Sequence, residues 1–232
     1  MEIGDEEIRK AISQTEVLRY PKQSLSTFGQ TIIDYYLLSS PIYDEANKNE
    51  ETVIREGKVS AERPRIVTPY FLSRIQGFSE NAKRYLDFII RYHGSHTPGL
   101  LYSYKNETRE LSIVSENLES VAGRLKENME KQGHQLSAIV KGVDQFWDIS
   151  LIKFISDLTE NSLKSNVAEL DKRGLLGVDR DGIPEEARLR IEELFQKVAL
   201  GGCDPSDLKK ELDRWELFAE YEDRFLNLFR KK

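Results

Sequence analysis

A single cysteine, Cys203, in 232 residues excludes an internal disulfide framework, and the chain is long enough to bury a core without staples or metal. The expected compartment is therefore a reducing one. No apolar run approaches the ~20 residues that a membrane-spanning helix needs. Met1 to Lys10 is acidic and polar, without the basic start and apolar stretch of a signal peptide. The expected location is cytoplasmic, with no membrane partner. Also missing are a glycine-rich phosphate loop, a dinucleotide-binding glycine pattern, a Gly-x-Ser-x-Gly elbow and paired cysteines for zinc. These gaps leave the chain without a catalytic signature or an assignable cofactor.

The net charge of −6 argues against a general nucleic-acid binder. The charge is unevenly spread. From Arg55 to Arg91 eight basic residues face four acidic ones, a local +4 on an otherwise negative chain. Cations sharing one face would favour an anionic small molecule or an acidic protein surface.

What the chain does contain is a change of hydrophobic period near Ser115. Residues 27–114 return to short β-like runs broken by Gly, Pro and Asn, whereas 115–230 read as helices. That grouping predicts an α+β fold, with an antiparallel sheet from about residues 30–114 covered by helices and a helical C-terminal half. The expected organisation is a core domain over 1–175 with a helical segment, 176–232, packed on it as one continuous domain.

In chain order, a helix is expected from Asp5 to about Arg19, then a central strand over Gln30–Leu38, nearly all apolar and therefore covered on both faces. Asp44–Glu51 reads as a polar loop. Thr52–Glu62 reads as a hairpin turning at Glu56-Gly57. A short edge strand, Arg65–Thr68, lies between Pro64 and Pro69. A helix over Ser79–Tyr92 precedes a second hairpin, Leu100–Val114, around Asn106-Glu107-Thr108. Ser115 is the expected cap of the next helix, with Gly133 as its stop. Leu136–Val143 fits a strand or a helix start. Helices then follow from Asp144 or Asp148, at about Asn166–Lys172, Pro184–Leu200 and Pro205–Phe229, with Pro184 and Pro205 in first turns and Asp204 as a cap.

Two constellations bear on chemistry. Arg65, Tyr70 and Arg74, with Tyr35 and Tyr102 on nearby strands, would form an aromatic and basic surface for an anionic ligand. Tyrosines of this kind equally serve sheet-to-helix packing. The alternative is a metal-dependent, hydrolase-like enzyme using His93 and His96 with Asp144 or Asp148. Neutral imidazoles close in sequence can share a metal, and carboxylates four residues apart share a helical face. Either aspartate equally suits a helix cap.

Asp179-Arg180-Asp181-Gly182 fails the calcium-loop template and reads as a turn into the Pro184 helix. On that helix, Glu186 with Arg190 and Arg188 with Glu192 read as surface ion pairs. Gly201 to Pro205, holding Cys203, reads as an interhelical turn. The aromatic C-terminal segment, Trp215, Phe218, Tyr221, Phe225 and Phe229, either docks on its own domain or makes a homo-oligomer through the C-terminal helix. The first expectation is a binding protein for an anionic ligand. The competitors are the metal enzyme and a structural subunit.

Overall fold

The computed structural model describes residues 5–41, 51–67, 87, 90–91 and 99–229. The fold is α+β, as the period change near Ser115 predicts. The expected loop at 44–50, the expected helix over 79–92 apart from residues 87, 90 and 91, and Tyr70, Arg74, His93 and His96 lie outside the described residues. Among the described residues no helix is long and apolar enough to cross a membrane.

The chain forms two compact units: Met1–Arg63 with Tyr102–Val167, and Pro64–Leu101 with Ala168–Lys232.

The first unit is built on a five-stranded sheet of order β1-β7-β2-β3-β6. Its strands are β1 (Glu16–Arg19), β2 (Thr31–Ser39), β3 (Thr52–Ala61), β6 (Tyr104–Val114) and β7 (Ser137–Lys141). β2 lies in the middle, as its near-continuous apolarity implies. The sheet is mixed rather than antiparallel. β7 runs parallel to β2, with Tyr36 beside Ile139, while β2–β3, β3–β6 and β1–β7 are antiparallel. It also reaches beyond residues 30–114, because β1 and β7 lie outside that span.

Each face of the sheet has its own helix. Ile33, Tyr35, Leu37, Val59 and Ala138 pack with Leu151, Phe154 and Leu158 of α3 (Trp147–Lys172). On the opposite face Leu38, Ile54 and Ile139 meet Leu118, Val121 and Met129 of α2 (Leu118–Lys131). Asn117, not Ser115, caps α2, accepting from the Ser120 amide at 2.8 Å. After α2 the chain turns through Gly133 at φ 68°, a left-handed position where glycine carries no Cβ clash.

Four further expectations are corrected. The first helix, α1 (Asp5–Gln14), stops short of Arg19, and the residues after it form β1 against β7. Neither expected hairpin exists, since β3 and β6 are single strands of 10 and 11 residues. α3 is one helix of 26 residues, where two were expected. The C-terminal helix is broken in two, at Trp215 to Leu217.

A ladder of polar side chains fixes α3 within the first unit. Ser150 shares a hydrogen bond with Thr15, Ser162 accepts from the Leu25 amide, and Asn166 donates to the Tyr102 hydroxyl. Buried hydroxyls and amides are tolerated only when so satisfied, so the ladder sets the helix register.

The second unit holds the β4 (Arg65–Val67) and β5 (Gly99–Leu101) pair and three helices: α4 (Glu185–Ala199), α5 (Pro205–Arg214) and α6 (Phe218–Asn227). Its core is Ile183, Ala187, Ile191 and Phe195 with Leu208, Leu212, Trp215, Leu217 and Phe225. Asp204 caps α5 through the Ser206 amide at 2.7 Å, with Pro205 in its first turn. Asp179 closes the turn before α4 by accepting from the Asp181 and Ile183 amides, which accounts for the Asp-Arg-Asp-Gly run without a cation.

A candidate anion site at an arginine cluster

The buried stripe of α4 is Ala187, Ile191 and Phe195. Glu186 and Arg190 each lie one position before a stripe residue, so they sit at its border rather than in open solvent. On α5 the same logic applies. Leu208 and Leu212 are buried, Glu211 shares their face, and Arg214 lies one turn on. β4 adds Arg65, next to the fully buried Ile66.

These three elements bring three guanidinium groups to one carboxylate. Glu211 Oε2 lies 3.8 Å from Arg65 Nη1, 3.7 Å from Arg190 Nε and 3.9 Å from Arg214 Nη1. The other oxygen, Oε1, accepts from the Trp215 indole at 3.2 Å, which fixes the carboxylate's orientation. All three contacts to Oε2 are longer than a charge-assisted hydrogen bond, so each is an ionic contact at one remove. Glu186, itself buried, supplies the second negative charge. Burial pulls the Arg214 guanidinium below its ordinary value; Glu211 and Glu186 oppose that shift, while Arg65 adds to it. Three guanidinium groups and two carboxylates thus meet in one partly buried cluster. The side chains of Arg65, Arg190 and Arg214 are 24%, 20% and 18% exposed, so solvent still reaches the cluster.

The surface reading of the α4 ion pairs is thereby corrected. Glu186 is buried and acts electrostatically on Arg214, Arg188 pairs with Asp179 and Glu220, and Glu192 takes a two-point contact from Arg224. Of the expected ligand residues, Arg65 belongs to the cluster. Tyr35 does not present a surface. Its ring lies within the core of the first unit, and its hydroxyl donates to Asn106 at 3.1 Å. Tyr102 is half-buried in that unit, accepting from Asn166 at 3.0 Å and stacking on Tyr104. Both are packing tyrosines, and burial raises the pKa of each.

The aspartates of the metal reading are engaged differently. Asp144 lies in a 3-10 turn before α3 and pairs with Arg55 at 2.5 Å while accepting from Ser39 at 3.0 Å. Asp148 occupies the first turn of α3 and accepts from the Ile149 amide. The two therefore do not share a helical face. Among the described residues no group of three histidine, cysteine, aspartate or glutamate side chains could hold a metal ion.

As site residues, Arg190, Arg214, Glu186, Glu211 and Trp215 were not singled out from the sequence. Their signal was positional, since each acidic residue neighbours an apolar stripe one turn from an arginine. No protein-family model, curated protein or solved structure matches this chain. What the fold and site define is an α+β protein of two units, one carrying a partly buried arginine cluster.

Proposed function

We propose that this chain is a non-catalytic binding protein that captures a small anion at Arg65, Arg190 and Arg214. The carrying observation is the convergence of three guanidinium groups on one glutamate oxygen. Like charges held this close repel, and an added anion relieves that repulsion where salt screens it poorly. A small group suits the cluster better than a flat acidic protein surface, because the cations are partly covered. The single cysteine and the lack of a calcium or zinc pattern fit a cytoplasmic setting.

The metal-enzyme alternative loses support at Asp144, whose charge is already offset by Arg55. The oligomer alternative loses support at the C-terminal helix, because Trp215, Leu217 and Phe225 bury their side chains in their own unit.

A thermal-shift screen against inorganic phosphate, sulfate, acetate and citrate at fixed ionic strength tests the reading. An anion at 100 times its dissociation constant stabilises by about 2.7 kcal/mol. Arg65→Gln should abolish that shift. An unchanged shift in Arg65→Gln, or none from any anion with the wild type, would remove the proposal.

A further inference from the structure

We propose that β6 is a homodimerisation edge, at which a second copy of this chain pairs antiparallel, with Ser112 on the two-fold axis, and extends the sheet.

The sheet has two ends, β1 and β6. β1 has four residues, two of them charged, whereas β6 has 11. Among the described residues no strand pairs with the outer side of β6, so its outward amides and carbonyls form a template for another strand. Charged side chains guard edges of this kind, and here they cover only part of the strand. Lys105, Glu107, Arg109 and Glu110 fall in its first part, and Leu111 to Val114 carries no charge. In that stretch Leu111 and Ile113 are 61% and 51% exposed. Two residues apart on a strand, they share one face. It is the face that α3 covers, since Leu111 lies across from Arg55, and Arg55 across from Leu37. Leu111 and Trp147 of α3 line the same pocket, so the apolar patch continues onto the helix.

The strand is its own complement. With Ser112 on the axis, Leu111 of each copy faces Ile113 of the other. Cross-strand apolar pairs of this kind are what stabilise a sheet. Glu110 then faces Val114, and Arg109 comes opposite Ser115, next to the other copy's Glu116. No like charges meet, and a cation approaches a carboxylate. Registers centred on Glu107 or Glu110 instead set identical glutamates against each other, and one centred on Leu111 sets Ile113 against Arg109. The four charges of β6 sum to zero, so the strand adds no repulsion between copies that each carry −6.

Sedimentation of the full chain over a concentration series tests the proposal. The wild type should pass from monomer to dimer as concentration rises, with the micromolar dissociation constant of a small interface. Leu111→Asp and Ile113→Lys each place a charge opposite an apolar residue, and each should weaken the dimer by roughly tenfold or more. Both positions are exposed, so the fold should survive either change. Mixed in equal amounts, the two variants should associate again, because the introduced carboxylate of one faces the introduced ammonium of the other. Hydrogen exchange on the wild type gives a check free of substitutions: amides within residues 111–114 should gain protection as concentration rises.

A wild type that stays monomeric at every concentration overturns the proposal, whether or not the edge takes a strand of another protein. A dimer that both variants leave unchanged, or whose 111–114 amides exchange alike at all concentrations, overturns it too, because the interface then lies elsewhere. A mixture that associates no better than either variant alone overturns the Ser112 register.

Discussion

The phenol ring of Tyr35 lies directly across Gly57 of the neighbouring strand. A Cβ at Gly57 would come within 2.5 Å of Tyr35 Cζ and 2.8 Å of the Glu107 carbonyl oxygen. Tyr35 and Gly57 are cross-strand partners, and β6 changes register at the same place, between Glu56 and Gly57. Gly57→Ala should therefore force the ring or β6 to move. The expected cost is about 1–3 kcal/mol, measured by urea unfolding. Tyr35→Ala in the Gly57→Ala background should recover part of the loss attributable to the clash.

Arg19 is a buried cation surrounded by neutral acceptors. It donates to the Ser137 carbonyl and hydroxyl and, at 2.8 Å, to the His134 carbonyl. Arg19→Met keeps the apolar stem and leaves those carbonyls without their donor, so a loss of about 2–3 kcal/mol is expected. Hydrogen exchange should localise the effect to the start of β7. A variant as stable as wild type would mean that the arginine's desolvation cancels its bonds.

Glu56 faces Glu110 across the β3–β6 pair. Burial raises its pKa and Glu110 adds to that, with Arg109 opposing. The folded state thus holds this proton more tightly than the unfolded chain does. The contribution of Glu56 is most favourable below the unfolded value of about 4.3 and is lost as pH rises through the folded value. Glu56→Gln should therefore raise the melting temperature at pH 7, with the gain shrinking as pH falls through the raised folded value and gone below about 4. A gain independent of pH would contradict this assignment.

Glu216 sits between α5 and α6 at φ 57°, a left-handed conformation that costs a non-glycine residue about 1–2 kcal/mol. Glu216→Gly should stabilise the protein by about 1 kcal/mol, read from the urea midpoint at constant slope. A destabilised variant would show that the Glu216 side chain contributes more than its backbone strain costs.

The gross fold was legible because period is a local property. The change from alternating to helical spacing near Ser115 survives in the structure, and Asp204 and Pro205 open α5 as their chemistry predicts. The missed features came from partners distant in sequence. Glu56-Gly57 resembles a turn until Tyr35 is seen to require the missing Cβ. Asn106 to Thr108 resembles a loop until Lys58 and Tyr35 are seen to bond Glu107 and Asn106. Glu16 to Arg19 continues a helical stripe but is captured by β7.

The arginine cluster was harder to read for the same reason. Arg65 stood out within a basic segment, whereas Arg190, Glu211 and Arg214 looked like ordinary charges on amphipathic helices. Only the packing of β4, α4 and α5 makes them neighbours. Local charge counting finds an excess, and tertiary structure decides which charges meet.

The parallel pairing of Tyr36 with Ile139 has a consequence for biogenesis. The central strand of the first unit cannot acquire one of its two flanking strands until the chain through Lys141 has left the ribosome. By then the segment from Pro64 to Leu101, which belongs with the C-terminal helices, has already emerged and must wait longer still. Pairings so distant along the chain carry a large loop-closure cost, so maturation should be slow and leave nascent chains exposed to chaperones.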